Sequence, residues 1–333
     1  IKQSVPSTVG TQSAAVNLGE MNSWGWELSV NWRDKIGKDF KYRIGLNTGY
    51  RDNEVLVMDW VTGNSLYRQI TKGHRTDMGL WGMQCIGMFR SFQDINEYFD
   101  MYMKKEDGSY GTYMGMTKEQ VRPGMLIYKD VRGALQENGT YAGPDHNVDE
   151  ELDQVQLSNR TNPYGFTINA GAEWKGISLT AQFGASWGGY TVVPSAALKP
   201  NGSLEYCNMP SFWNPDNMFV YQDIYDGSGN LLMEANRDAQ YPNLAYSNVN
   251  AVTSSFWRVS AARVALNRLT LAYTIPSSLY KKFGINNIRV NVTGQNVLNF
   301  YNPYPDKFMN PMAGTYGSYP NLRKWTVGVN LSF

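Results

Sequence analysis

The feature that most constrains this chain is a two-residue alternation of apolar and small polar side chains, repeated in long segments. In KWTVGVNLSF, Lys324 to Phe333, one face carries Trp325, Val327, Val329, Leu331 and Phe333, and the other carries Thr326, Gly328, Asn330 and Ser332. Successive side chains of a strand point to opposite faces, so each such segment is a strand with one apolar and one polar side. The pattern recurs with Trp24, Trp26, Leu28, Val30 and Trp32 on one face and Gly25, Glu27, Ser29, Asn31 and Arg33 on the other. It returns in FKYRIGLNTGY, YGFTINAGAEW, ISLTAQFGASW, RLTLAYTI and NIRVNVTGQ. In VSAARVAL, just before RLTLAYTI, the apolar phase slips near Asn267, where a β-bulge would restore register.

Two solvents could meet the apolar face: the core of a soluble sandwich, or lipid. The segments run about ten residues, the length of a tilted membrane strand, whereas average soluble strands are about half that. Aromatics gather at segment ends (Trp24 and Trp32, Tyr164 and Trp174, Trp187, Tyr273, Trp325, Phe333), as in the girdles at two membrane interfaces. Charged residues are 18% and aromatics 14% of the 333 residues, and no run approaches the roughly 20 apolar residues of a spanning helix. These features favour an all-β, antiparallel transmembrane barrel, although the composition also suits a soluble carbohydrate-binding β-protein. The net charge of +1 gives no basic footprint for nucleic acid.

Short connections (33–39, 175–176, 276–287) and long ones (about 51–163, 188–255 and 301–321) fall alternately along the chain. Short turns on one side of the membrane and long loops on the other are the habit of outer-membrane barrels. With no span inside 51–163, seven strands remain. Single-chain bacterial barrels have even strand numbers, and an open sheet edge is not tolerated in lipid. The expectation is therefore an unclosed sheet of about seven or eight strands that forms part of a larger barrel.

No catalytic constellation is present; His74 and His146 both fall in long loops, and no nucleophile elbow, H-E-x-x-H or phosphate loop occurs. The reading is not an enzyme. Cys85 and Cys207 form no Cys-x-x-Cys pair and are read as two unpaired thiols. The acidic stretch YKDVRGALQENGTYAGPDHNVDEELDQVQL places oxygen ligands at alternating positions, which would suit Ca²⁺ or Mg²⁺, but a solvated loop is the favoured reading. The aromatic-rich 203–223 stretch suits either stacking on sugar faces or packing of a loop lobe. Glu27, Arg33, Lys41, Arg43, Glu173, Arg268 and Arg289 project from the polar face, where they would meet solute or pair with neighbouring charges.

The last third makes a resemblance specific. Leu269, Leu271, Tyr273 and Pro276 are followed by Lys282, Phe283, Gly284, Ile285, Arg289 and Val290, then Asn296, Val297 and Leu298, and finally Tyr319, Pro320, Arg323 and the terminal Phe333. This order resembles the end of a SusC/RagA-type TonB-dependent transporter, and Asn17, Gly19, Asn22, Gly25 and Glu27 resemble an earlier motif of the same family. The positions before Leu269 depart from it, with Arg263, Val264, Ala265 and Leu266 in place of a Tyr-Leu-Arg-Leu run.

The resemblance implies that residues 1–333 are the C-terminal part of a 22-stranded barrel whose plug and earlier strands lie elsewhere. It further implies import of glycan or peptide oligomers across the outer membrane of a Gram-negative, Bacteroidetes-type bacterium. TonB would energise it, and a SusD-like lipoprotein would capture the cargo. Trp325, Val327, Val329, Leu331 and Phe333 resemble the signal read by the barrel-assembly machinery. Asp130, Asp145, Asn147, Asp149 and Asp153 resemble a split version of a family acidic motif in which His146 replaces a Gly. A passive porin is the alternative among membrane proteins.

Overall fold

The computed structural model describes residues 19–58, 66–68, 70, 72–161, 164–199, 209–311, 316–317, 319 and 321–333. Asn17, Pro320 and Cys207 lie outside them. Seven long strands form one antiparallel sheet: β1 (Gly19–Ile36), β2 (Phe40–Met58), β3 (Tyr164–Trp174), β4 (Ile177–Trp187), β5 (Arg263–Thr274), β6 (Asn287–Tyr301) and β7 (Lys324–Ser332). Each pairs with the next in sequence, with no crossover. Among the described residues no strand of this sheet arises between 58 and 164, as the segment count requires. β1 and β7 each pair on one side only, so the sheet is unclosed.

Register turns the alternation of each strand into two continuous faces. Trp32, Ile44, Ala170, Ala181, Leu269, Gly294 and Trp325 lie side by side across all seven strands. One rung on, Tyr42, Ala172, Leu179, Leu271, Val292 and Val327 do the same. This face is uncovered: Trp32 is 61%, Val327 71% and Val329 59% exposed. A soluble sandwich would bury such a face under a second layer. Among the described residues no second layer covers it.

The expected bulge is present. Register shifts between Leu266 and Arg268 against both neighbouring strands: Asn267 is the extra residue against β4, while β6 places two residues, Asn296 and Val297, opposite it. The opposing Gly184 makes room for it, because a Cβ there would lie 2.6 Å from the Asn267 amide nitrogen.

Tight turns close one end of the sheet. Lys175 and Gly176 both adopt positive φ, 46° and 85°, the two-residue geometry whose twist matches a hairpin. The turn between β1 and β2 uses Gly37, and the β5–β6 connection uses Gly284, both left-handed. The C-terminus of β7 lies at the same end, where the Asn286 N–H donates to the Ser332 carbonyl.

The long connections leave from the opposite end and fold into two packed cores. In the first, Phe89, Phe99, Met103, Tyr113, Leu126 and Tyr128 are fully buried. Short ribbons (Leu80–Met83 with Gln154–Ser158, Cys85–Met88 with Leu126–Tyr128) and helix α1 (Phe92–Tyr98) enclose them. Ser91 and Asp94 begin α1 as a reciprocal capping box. Cys85, in one of these ribbons, is an unpaired thiol. The second core gathers Val193, Leu198, Phe212, Ala251 and Trp257, with Trp213, Tyr241 and Phe308 against it. Phe212 and Trp213 belong to the aromatic-rich stretch, and here they serve packing rather than an open sugar platform.

Candidate functional site

The side of the sheet opposite the exposed aromatics is the candidate site. Its residues come from the other parity of every strand, so the alternation that builds the apolar face builds this one as well. Glu27, Ser29, Asn31, Arg33 and Lys35 rise from β1, opposite Gly49, Asn47, Gly45, Arg43 and Lys41 of β2. Neighbouring polar groups hydrogen-bond along the face. Ser29 donates to Asn47 at 2.7 Å, Gln182 to Asn169 at 3.1 Å, and Arg289 to the Ser178 hydroxyl at 2.7 Å. Thr270 and Thr293 sit 3.0 Å apart across β5 and β6.

Glycines set the relief. A Cβ on Gly171 would lie 2.7 Å from Arg43 Nε, and one on Gly45 the same distance from Asn31 Oδ1. The missing side chains let Arg43 and Asn31 lie flat across the neighbouring strand. Three hollows result. One of about 340 Å³ is lined by Asn31, Arg33, Arg43, Gln182 and Arg268. One of about 480 Å³ is lined by Arg33, Lys35, Lys41, Arg43 and Glu173. One of about 720 Å³ carries Glu27, Ser29, Asn47, Thr167, Ser186 and Arg263.

The face is strongly cationic although the whole chain is nearly neutral. It bears nine Lys or Arg (Arg33, Lys35, Lys41, Arg43, Arg51, Arg263, Arg268, Arg289 and Lys324) against two carboxylates, Glu27 and Glu173. Among the described residues, the salt bridges within 4.0 Å are Arg75–Asp52 and Lys118–Asp100, and neither includes any of the nine. A face of one sign concentrates counter-ions of the other.

The structure thus brings the seven sequence-selected charges, Glu27, Arg33, Lys41, Arg43, Glu173, Arg268 and Arg289, onto one surface. Lys324 shares it and was legible from parity alone, one residue before Trp325; Lys35 shares it too, because β1 runs on to Ile36 through residues read as the 33–39 turn. Arg263 joins them once the Asn267 bulge, which reverses the parity of everything upstream of it in β5, is allowed for.

The acidic stretch has a different architecture from the solvated loop expected of it. Asp153 is fully buried and Asp130 nearly so. Asp153 Oδ1 accepts from the backbone N–H of Val131 (2.7 Å) and Arg132 (3.1 Å), and its Oδ2 accepts from that of Asp149. Asp130 accepts from the backbone N–H of Asp145 and His146. Asp145 accepts from the Asn147 N–H, and Asp149 from those of Glu151 and Leu152. The carboxylates brace loop backbone, and among the described residues no group of three or more His, Cys, Asp or Glu is disposed around a metal position. Burial, with Asp153 and Asp145 nearby, pushes the Asp130 carboxyl up to about 6.

Trp325, Val327, Val329 and Leu331 share the uncovered apolar face of β7, and Phe333 follows the strand 81% exposed.

No family model matches this sequence. Two curated relatives from Formosa agariphila do: TonB-dependent receptor P3, 24% identical over 349 residues, and TonB-dependent receptor P39, 20% identical over 356 residues. Both alignments take in 99% of this chain, which spans 30% and 32% of those relatives. Among solved structures, the RagAB peptide importer in its closed-closed state superposes with a TM-score of 0.63 at 18% identity, over 99% of this chain and 31% of that one. Relatives and neighbour are named as receptors and an importer, not as enzymes. The apolar face, the one-sided loops and these likenesses agree over the full length: the chain is similar to TonB-dependent receptors in sequence and takes the fold of the matching part of the RagAB importer.

Proposed function

We propose that residues 1–333 form the C-terminal wall segment of a 22-stranded barrel that imports nutrient oligomers across the outer membrane of a Gram-negative bacterium. The observation that carries this reading is the sheet's two-sidedness. One face is apolar, aromatic-edged and uncovered, the other is polar and hollowed, and every tight turn lies at one end. Lipid against the first face and water against the second are the conditions that pattern fits.

The partners in this reading are TonB and a SusD-like lipoprotein, the latter meeting the loop lobes at the outer end. Insertion would proceed through the barrel-assembly machinery reading Trp325, Val327, Val329, Leu331 and Phe333. The RagAB neighbour is a peptide importer, which supports a peptide cargo, with glycan oligomers as the alternative. The test is growth on single nutrient sources. Deleting the gene should abolish growth on one class of oligomer while leaving growth on its monomers intact, and abolishing TonB should do the same. Growth on every oligomer despite deletion contradicts import, and uptake that survives loss of TonB turns the reading toward a passive porin.

A further inference from the structure

The uncovered apolar face is not smooth near the tight turns. A hollow of about 460 Å³ opens across β4, β5 and β6, lined by Ile177, Leu271, Tyr273, Val290 and Val292. All five have the apolar parity. The hollow exists because the short Val290 and Val292 share their rungs with the longer Tyr273 and Leu271. Two residues beyond Val292, the Trp325 ring lies across Gly294, where a Cβ would come within 2.8 Å of it, and this ring stands on the loop side of the hollow. The other side reaches Ile177 and Tyr273, beside the Lys175–Gly176 turn; a Cβ on Gly176 would meet the Tyr273 ring at 3.4 Å.

At that end the chain is cationic and amphipathic. Lys175 Nζ sits 5.4 Å from the centre of the Trp174 ring, and the β5–β6 connection carries Lys281 and Lys282 with no acid among residues 275–286. In the same connection Leu279 is 64% and Phe283 69% exposed, while Tyr280 between them is buried. Exposed Leu and Phe flanking two lysines are out of place in water. They suit the boundary between headgroups and acyl chains, where the apolar side chains dip in and the lysines reach phosphate. The carboxylates at this end are Asp34 and Asp39 of the β1–β2 hairpin, Glu173 on the polar face and the terminal carboxylate at Phe333. Among the described residues none of them lies within 4.0 Å of Lys175, Lys281 or Lys282. Even with Asp39, one residue beyond the Phe40–Trp174 pair, assigned to Lys175, the two lysines of the connection remain against the terminal carboxylate alone.

We propose that the hollow and these lysines together seat one anionic glycerophospholipid of the inner leaflet. One acyl chain lies in the hollow against Leu271, Tyr273 and Val292. The phosphate accepts hydrogen bonds from Lys281 and Lys282, with Lys175 at its edge. A phospholipid is the fitting occupant because short turns mark the periplasmic side of such a barrel, and lipopolysaccharide lies in the other leaflet. A net anionic headgroup fits better than a zwitterionic one, whose ammonium would meet the same lysines.

The inference rests on the barrel reading, and one preparation separates the two. The intact protein, purified from outer membranes of its host and stripped of lipid in detergent, is titrated with phosphatidylglycerol or phosphatidylethanolamine. Bound lipid is counted by native mass spectrometry. One phosphatidylglycerol should be held about tenfold more tightly than phosphatidylethanolamine. Lys281→Gln with Lys282→Gln should remove that preference. Val292→Trp, which fills the hollow and leaves every charge in place, should weaken retention of both lipids about tenfold. Equal retention of the two lipids by the wild type, or unchanged retention in either variant, overturns the proposal, as does retention of lipopolysaccharide in their place. Failure of the wild type to fractionate with outer membranes, or to show heat-modifiable migration, would instead contradict the barrel reading itself.

Discussion

Trp257 is the keystone of the second loop core. It is 2% exposed, its indole N–H donates to the Asn250 carbonyl at 2.6 Å, and it stacks on Tyr241. Asn250 in turn bridges to the first core, accepting from the Leu126 N–H and donating to the carbonyls of Gly124 and Asn243. Trp257→Ala should therefore destabilise the lobes by about 3–5 kcal/mol, read as a lowered thermal transition and new protease sensitivity in the loops. Asp130 makes a pH-dependent prediction. Its folded pKa of about 6 stands above the ordinary 3.8, so the folded state holds the proton more tightly than the unfolded one. The stability this gives is full below about pH 4 and is lost as pH rises through about 6. A ¹³C carboxyl titration should place the Asp130 midpoint near 6. The stability of wild type relative to Asp130→Asn should fall between those pH values, and a flat difference would contradict the account.

At the scale of elements, the tight turns fix hairpin register, and the two glycines most exposed to test differ in one respect. Gly37 and Gly176 both have positive φ, but a Cβ on Gly37 meets nothing within 4 Å, whereas one on Gly176 would lie 2.8 Å from the Thr274 carbonyl oxygen. Gly37→Ala should cost about 1 kcal/mol, the left-handed penalty alone, and Gly176→Ala distinctly more, measured by heat-induced unfolding in detergent. The strands and the Asn267 bulge were legible in sequence because each strand meets two different solvents, and that contrast is written residue by residue. β1 and β2 run to 18 and 19 residues, beyond the ten or so that alternate. Past about Arg51 the composition of the two faces ceases to differ, and the pattern that marks a strand is lost. The loop lobes left no periodic trace at all. Helix α1 has only seven residues, and the core it joins brings together side chains far apart in sequence, such as Phe89 against Tyr113. The cationic polar face was half visible: parity reveals Lys324, but Lys35 and the crowding of Arg33 on Arg43 emerge only once the end of β1 and its register are known.

For the whole molecule, the account turns on which solvent meets each face of the sheet. The seven strands, with their turns at one end and packed lobes at the other, make sense as a wall between lipid and water. The most direct test is to place single spin labels at successive positions 324–332 of the intact protein in outer membranes, with Cys85 and Cys207 replaced by Ser. Collision rates with oxygen, which partitions into lipid, and with a water-soluble nickel complex are then measured at each position. The account predicts a strict two-residue alternation. Positions 325, 327, 329 and 331 should be open to oxygen and closed to nickel, and positions 326, 328 and 330 should not follow them. Equal access of nickel to Val327 and Val329, or oxygen maxima at the even positions, would contradict the claim that this face lies against lipid.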